Sequence, residues 1–133
     1  MTTKIPDTHI DLLTTKKAFA NLATTMADGT PQVTPVWVDW DGTHVVINSA
    51  KGRVKDKNLE ARRDVALAIS DPENPYRYMG IRGKIVEITE QGADAHIDAM
   101  AKKYMGKDSY PFRTPTEVRK IYKILPSTVH VMG

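Results

Sequence analysis

Two aspartate–glycine pairs, Asp28-Gly29 and Asp41-Gly42, constrain this chain more than any other feature. Such a pair supplies the positive φ that a tight hairpin needs, and both lie between stretches of β-type sequence. Segments 19–26, 32–40 and 43–49 therefore read as a three-stranded meander. In the middle segment Thr34, Val36, Val38 and Trp40 share one face, while Val33, Pro35, Trp37 and Asp39 share the other. Pro35 cannot donate to a ladder, so the strand is an edge there, or is bulged or bent. A kink at this point would expose the backbone of residues 34–37 to a ligand.

After Ser49 the pattern changes. Residues 53–62 hold no proline or glycine and suit a short helix, with Val54, Asn58 and Ala61 as its apolar stripe and Leu59 beside it. Residues 65–70 read as a buried strand, 71–75 as a proline-rich turn and 76–89 as a long strand. The long strand places Ile81, Gly83 and Ile85 on one face and Val86 and Ile88 on the other; Gly80 and Gly83 suggest bulges or a close approach. Ala93, Ile97, Met100, Ala101 and Tyr104 recur at helical spacing over 92–105, and Gly106 is the stop signal. A last strand covers 118–125, is broken by Pro126 and resumes at 129–131; residues 7–13 suit one or two helical turns. The expectation is a mainly β (α+β) chain, one domain over residues 1–133, with six strands, two or three short helices and closure into a small barrel.

Composition narrows the chemistry. The 133 residues include no cysteine, which excludes disulfides, thiolate metal sites and a cysteine nucleophile. His9, His44, His96 and His130 lie too far apart in sequence for a local metal-binding pair, so no metal site is expected. The longest apolar run, residues 65–69, is far short of a membrane span, and no signal-peptide core is visible; the expectation is a cytoplasmic protein without a membrane partner. The net charge is only +3, yet residues 51–63 carry six basic residues against Asp56 and Glu60. That local surplus exceeds the surplus of the whole chain.

Lys51, Arg53, Lys55 and Lys57 gather where Gly52 leads into a helix, and a helix start presents free N–H groups and a positive dipole end. The cluster is either an anion site or a solvated face in which Asp56 and Glu60 pair locally with Arg53, Lys57 or Arg63. Lys102, Lys103 and Lys107 lie at the far end of the later helix, where cations merely suit the dipole. Among the aromatic residues, Trp40 and Tyr104 suit the core, whereas Tyr76 and Tyr78 could line a groove for a flat ligand. The aromatics do not interleave with basic residues along a strand, so nucleic acid is not an expected partner. No nucleophile elbow, metalloprotease helix or P-loop is present. Catalytic side chains stay unknown, and any enzyme built on this chain needs a cofactor to carry the chemistry.

Taken in order, Phe19-Ala20-Asn21-Leu22-Ala23-Thr24, then Asp28-Gly29-Thr30-Pro31-Gln32-Val33-Thr34-Pro35-Val36-Trp37, then Gly52-Arg53-Val54-Lys55-Asp56-Lys57-Asn58-Leu59 resemble the pyridoxamine-phosphate-oxidase-like split β-barrel superfamily. Asp64-Val65-Ala66-Leu67, Asn74-Pro75-Tyr76-Arg77-Tyr78 and Ile81-Arg82-Gly83 extend the resemblance over about residues 16–133. Within that superfamily the chain resembles the short branch that uses the deazaflavin coenzyme F-420; because relatives on the same barrel use flavin mononucleotide (FMN) or bind haem, the alternatives are an FMN-dependent oxidoreductase and a non-catalytic protein that binds cofactor or haem. The resemblance implies a six-stranded antiparallel split β-barrel, a homodimer with cofactor sites between subunits, and hydride transfer to a small organic acceptor such as an enone or quinone. It implies that Arg53, Lys55 and Lys57, with Lys51, Gly52 and Asn58, meet the phosphate and acidic tail. It also implies that Thr34, Pro35, Val36 and Trp37, with Asn48, Ser49 and Ala50, meet the ring, while Tyr76 and Tyr78 close the pocket from the partner. Tyr76, Tyr78 and Tyr104 are the candidates for a protein-borne proton donor.

Overall fold

A computed structural model describes residues 4–133. Seven strands form one curled antiparallel sheet: β1 (Ala20–Thr25), β2 (Pro31–Val36), β3 (Asp39–Trp40), β4 (Val45–Ala50), β5 (Asp64–Asp71), β6 (Asn74–Thr89) and β7 (Arg119–Met132), in the order β2-β1-β5-β6-β7-β4-β3. Three helices accompany them: α1 (Asp11–Thr14), α2 (Val54–Ala61) and α3 (Ala93–Met105).

The expected count of six strands becomes seven because segment 32–40 is not one strand. It breaks between Val36 and Asp39, and its halves stand at opposite ends of the sheet, β2 on β1 and β3 on β4. The two expected hairpins are present, with Gly29 at φ 88° and Gly42 at φ 98°, but they do not join into a meander. Asp28 accepts the Thr30 N–H at 3.0 Å, and Asp41 accepts those of Thr43 and His44 at 2.9 and 2.6 Å, as turn aspartates do. The bent segment links the two ends of the sheet covalently where no ladder joins them. Pro31 and Pro35 lie on the edge strand β2, which tolerates a missing donor.

Inside the curl, Leu22, Val38, Ile47, Ile69, Met79, Ile81, Tyr122 and Ile124 are almost fully buried. Strand β5 is buried on one face only: Val65, Leu67 and Ile69 point inward, and Ala66 and Ala68 outward. Two bulges correct the expected faces. The β6–β7 register shifts between Ile85 and Glu87, so Val86 turns outward and Ile88 returns to the core rather than sharing Val86's face. A second shift, between Arg82 and Gly83, absorbs Pro126: β7 runs unbroken to Met132, with Ser127 as the bulge residue. Gly83 is required there, because a Cβ would lie 2.5 Å from the Leu125 carbonyl oxygen.

Helix α3 buries the five residues expected of it and ends at Gly106 in the left-handed region, φ 70°. Helix α2 follows its expected stripe at Asn58 and Leu59 but not at Val54 and Ala61, and it buries Asp56 instead. Val54 is 48% exposed and Ala61 is also exposed, whereas Asp56, Asn58 and Leu59 are buried. Polar side chains face inward here because they have partners. Asp56 accepts from Lys120 Nζ at 2.8 Å and from the Tyr122 hydroxyl at 2.6 Å, and the Asn58 amide donates to Thr24 Oγ1 at 3.0 Å. The expected local pairing of the α2 acids is limited to Glu60 with Arg63, at 3.6 Å. Among the described residues no helix is long and apolar enough to cross a membrane.

Candidate functional site

The bend after β2 opens a cleft of about 270 Å³ on the outside of the barrel. Pro35, Val36 and Trp37 form one wall, and Asn48 from β4 and Arg119 from β7 form the floor. Phe19 and Ile97 complete the apolar side, and Tyr110 and Phe112, from the loop between α3 and β7, extend the wall from Trp37. Arg53 and Lys55, at the start of α2, supply the mouth.

The walls are aromatic and interlocked. Trp37 stacks on Tyr104 with centroids 5.2 Å apart and rings 4° from parallel, and meets Tyr110 edge-on at 6.1 Å. Tyr110 meets Phe112 at 5.7 Å, and Phe19 meets Tyr104 at 5.5 Å. The loop bearing Tyr110 is tied to α3 by Asp98, which accepts the Tyr110 N–H at 2.9 Å and the Arg113 guanidinium at 2.5 Å. The Tyr110 N–H, ahead of the Arg113 charge, holds the Asp98 carboxyl below its ordinary range.

The cleft is cationic at its mouth and floor. Arg53 is the N-cap of α2 and makes no side-chain cap hydrogen bond, so the first turn keeps donors for an incoming anion. Gly52 reaches its φ of 92° just before the helix, and its N–H donates to Asp56 Oδ2 at 2.8 Å. Asp56 thus ties this loop to Lys120 and Tyr122 in the interior. Burial lowers the Lys55 pKa, and the charges of Arg53 and Arg119 lower it further. Arg119 is only 5% exposed. Its Nε donates to Asn48 Oδ1 at 2.8 Å, its Nη1 to Glu117 Oε1 at 2.8 Å, and its guanidinium lies 5.3 Å from the Tyr110 ring centre.

Arg119 also fixes Asn48. With Oδ1 accepting, the Asn48 amide donates to the Ala93 carbonyl at 2.9 Å and to His96 Nδ1 at 3.2 Å. His96 is thereby held with its proton on Nε2, which donates to Asp39 Oδ2 at 3.1 Å. This chain pins the floor of the cleft to α3.

Six of the residues implied by the resemblance meet in the cleft: Pro35, Val36, Trp37, Asn48, Arg53 and Lys55. The others lie outside its lining. Asn58 spends its side chain on Thr24 and Arg62, and the Ser49 side chain is on the opposite face of β4 from Asn48. Thr34, Ala50, Lys51, Gly52 and Lys57 flank the lining without entering it. Tyr76, 81% exposed, and Tyr78 begin β6 away from this chain's own cleft. Tyr104 is no proton donor to the cleft. Its hydroxyl donates to the Ala18 carbonyl at 2.7 Å and accepts from the Val38 N–H at 3.0 Å, and burial pushes its pKa up to about 12. Lys103 is not a solvated helix-end charge either: its ammonium donates to the Leu13 and Val38 carbonyls at 2.8 and 2.7 Å.

The curled antiparallel sheet is that of a split barrel, and a family model described as pyridoxamine 5'-phosphate oxidase matches residues 6–133. The chain belongs to that family. It is similar to a solved F-420 reductase, with 30% identity, coverage of 95% of this chain and 98% of that one, and a TM-score of 0.82. Two further solved structures share the fold. HupZ of Group A Streptococcus has 22% identity, coverage of 96% of this chain and 94% of its own, and a TM-score of 0.67. A Listeria innocua protein named for pyridoxamine 5'-phosphate oxidase has 17% identity, coverage of 94% and 95%, and a TM-score of 0.70. No curated protein matches the sequence.

Proposed function

We propose that this chain is an F-420-dependent reductase that delivers a hydride to a small planar acceptor. The observation that carries the reading is one cleft with aromatic walls and three cations, Arg53, Lys55 and Arg119, at its mouth and floor. A neutral planar ligand would make no contact that needs the cationic mouth, and a simple phosphate would make none that needs the aromatic walls. A deazaflavin with an anionic tail fits both, and the similarity to an F-420 reductase at 30% identity supports the choice.

In this reading the bound deazaflavin supplies a hydride when reduced. Pro35, Val36 and Trp37 support its ring, and Asn48 and Arg119 hold the floor rigid. Arg53, Lys55 and the uncapped first turn of α2 bind the phosphate and tail. The Trp37–Tyr110–Phe112 wall excludes water from the ring. A second copy of the chain contributes Tyr76 and Tyr78, which do not line their own cleft. In support, a depression beside Tyr78 is lined by Ala66, Gly80, Arg82, Thr128 and His130, whose ring lies 6.2 Å from that of Tyr78.

The test is single-turnover oxidation of reduced F-420 with a quinone or an enone, followed by the return of deazaflavin absorbance. Acceleration by the protein, lost in Arg53→Ala, is the expected result. Equal rates with and without protein for every acceptor would contradict the reading, and a protein that purifies yellow with FMN would replace the cofactor.

A further inference from the structure

Among the cations of the cleft, two already share an anion. The Glu117 carboxylate accepts from Arg119 Nη1 at 2.8 Å through Oε1 and faces Arg53 Nη2 at 3.5 Å through Oε2. It bridges one guanidinium from the mouth and one from the floor. Its environment suits this use: the Glu117 side chain is 15% exposed, that of Arg119 4% and that of Arg53 47%. A guanidinium as buried as Arg119 is costly without a counter-charge, and within the chain Glu117 supplies it. The backbone beside Glu117 is fixed independently, because Val118 accepts the Lys51 N–H at 2.8 Å and the Glu117 N–H reaches the Thr114 carbonyl at 3.3 Å. Release of the carboxylate therefore calls for side-chain rotation alone, with the loop backbone held in place.

We propose that Glu117 is a built-in counter-anion of the cleft, which occupies the Arg53–Arg119 bridge and yields it to the anionic group of the ligand. The proposal rests on the assignment of the cleft as an anion-tailed cofactor site and adds a residue that sets its selectivity. A ligand must exceed a carboxylate already in place, so phosphate, with more charge and more acceptor oxygens, enters where a weak monoanion does not. Glu117 thus stabilises the ligand-free chain and weakens its affinity for ligand. A residue that only positioned Arg53 and Arg119 would support both.

The test uses inorganic pyrophosphate as the probe, titrated by calorimetry, with thermal unfolding measured on the same samples. Glu117→Gln removes the charge and keeps the shape. Expected are a lower melting temperature without probe and about tenfold tighter pyrophosphate binding, the direction in which loss of a competing charge acts. Glu87→Gln, an equal charge change on β6 outside the cleft, should leave affinity within about twofold, as a screened charge does. Unchanged or weaker binding by Glu117→Gln overturns the proposal, whatever happens to its stability. Arg53→Ala separates the two levels. If it weakens pyrophosphate while Glu117→Gln does not tighten it, the counter-anion fails and the site stands. If Arg53→Ala has no effect, the site assignment itself fails and the counter-anion with it.

Discussion

Arg53 and Lys55, two residues apart at the start of α2, are the cations at the mouth of the cleft, and the proposed anion site stands on them. A charge-assisted hydrogen bond to phosphate is worth about 1.5–3 kcal/mol, so Arg53→Ala or Lys55→Ala should raise the F-420 dissociation constant about ten- to a hundred-fold. Arg53→Lys should recover part of the loss, because an ammonium cannot reproduce the guanidinium fork. Lys102→Ala, an exposed position near the end of α3, should change it less than about twofold. Fluorescence titration of the variants decides; equal affinities in all of them would mean that the α2 cations are only a solvated face. Lys102 is the proper control because Lys103 clamps the Leu13 and Val38 carbonyls. The α2 cations were legible in the sequence because they recur at every second residue directly after a glycine. Arg119 was not, since nothing local distinguishes an arginine that opens a strand from one in solvent. Only the β4–β7 pairing, with Ala50 opposite Arg119, brings it to Asn48 and the cleft.

Helix α2 departs from a simple amphipathic pattern because its inner face is held by charge. Buried Asp56 meets Lys120, Tyr122 and the Gly52 N–H at once. Burial pushes its pKa upward, but the Lys120 and Tyr122 hydrogen bonds outweigh this and leave the carboxyl below its ordinary value of 3.8. Asp56→Asn breaks a buried pair, although Glu60 still reaches Lys120 at 2.7 Å; the expected cost is about 2–4 kcal/mol in denaturant unfolding. The pH dependence has a definite sign. A depressed carboxyl pKa gives stability that is present above about 3.8 and lost as pH falls through the folded value. The gap between wild type and Asp56→Asn should therefore be constant near neutrality and close below pH 4. A gap that persists in strong acid would remove Asp56 from this role. Element positions were readable where hydrophobic period and glycine agreed, as in α3. They were misread where a bulge reset the phase, at Val86 and Ser127, or where ion pairs replaced apolar residues on an inner face, at Asp56.

In the whole molecule, the bend between β2 and β3 both links the ends of the sheet and creates the cleft. Pro35 marks its neighbourhood in the sequence, but the alternation of Thr34, Val36, Val38 and Trp40 is equally that of one straight strand. The choice between them is made by partners at opposite ends of the sheet, β1 and β4. The proposed dimer belongs to this scale. Tyr76, Val33 and Met132 are 81, 64 and 51% exposed, apolar side chains of the kind that a second copy would cover. Sedimentation should show a dimer at micromolar concentration, and Ala68→Arg, on the outward face of β5, should dissociate it without unfolding the chain. A wild-type monomer across that range would leave Tyr76 and Tyr78 without a cleft to close. The central claim is that one cleft reads a planar ring and an anionic tail together. Its most direct test is parallel equilibrium titration of the purified protein with F-420, with the deazaflavin chromophore lacking the tail, and with FMN. The account predicts that F-420 binds at least about tenfold more tightly than the tail-less chromophore, the margin expected of one or two charge-assisted hydrogen bonds, and more tightly than FMN. Equal affinity for F-420 and its tail-less chromophore, or a preference for FMN, would contradict it.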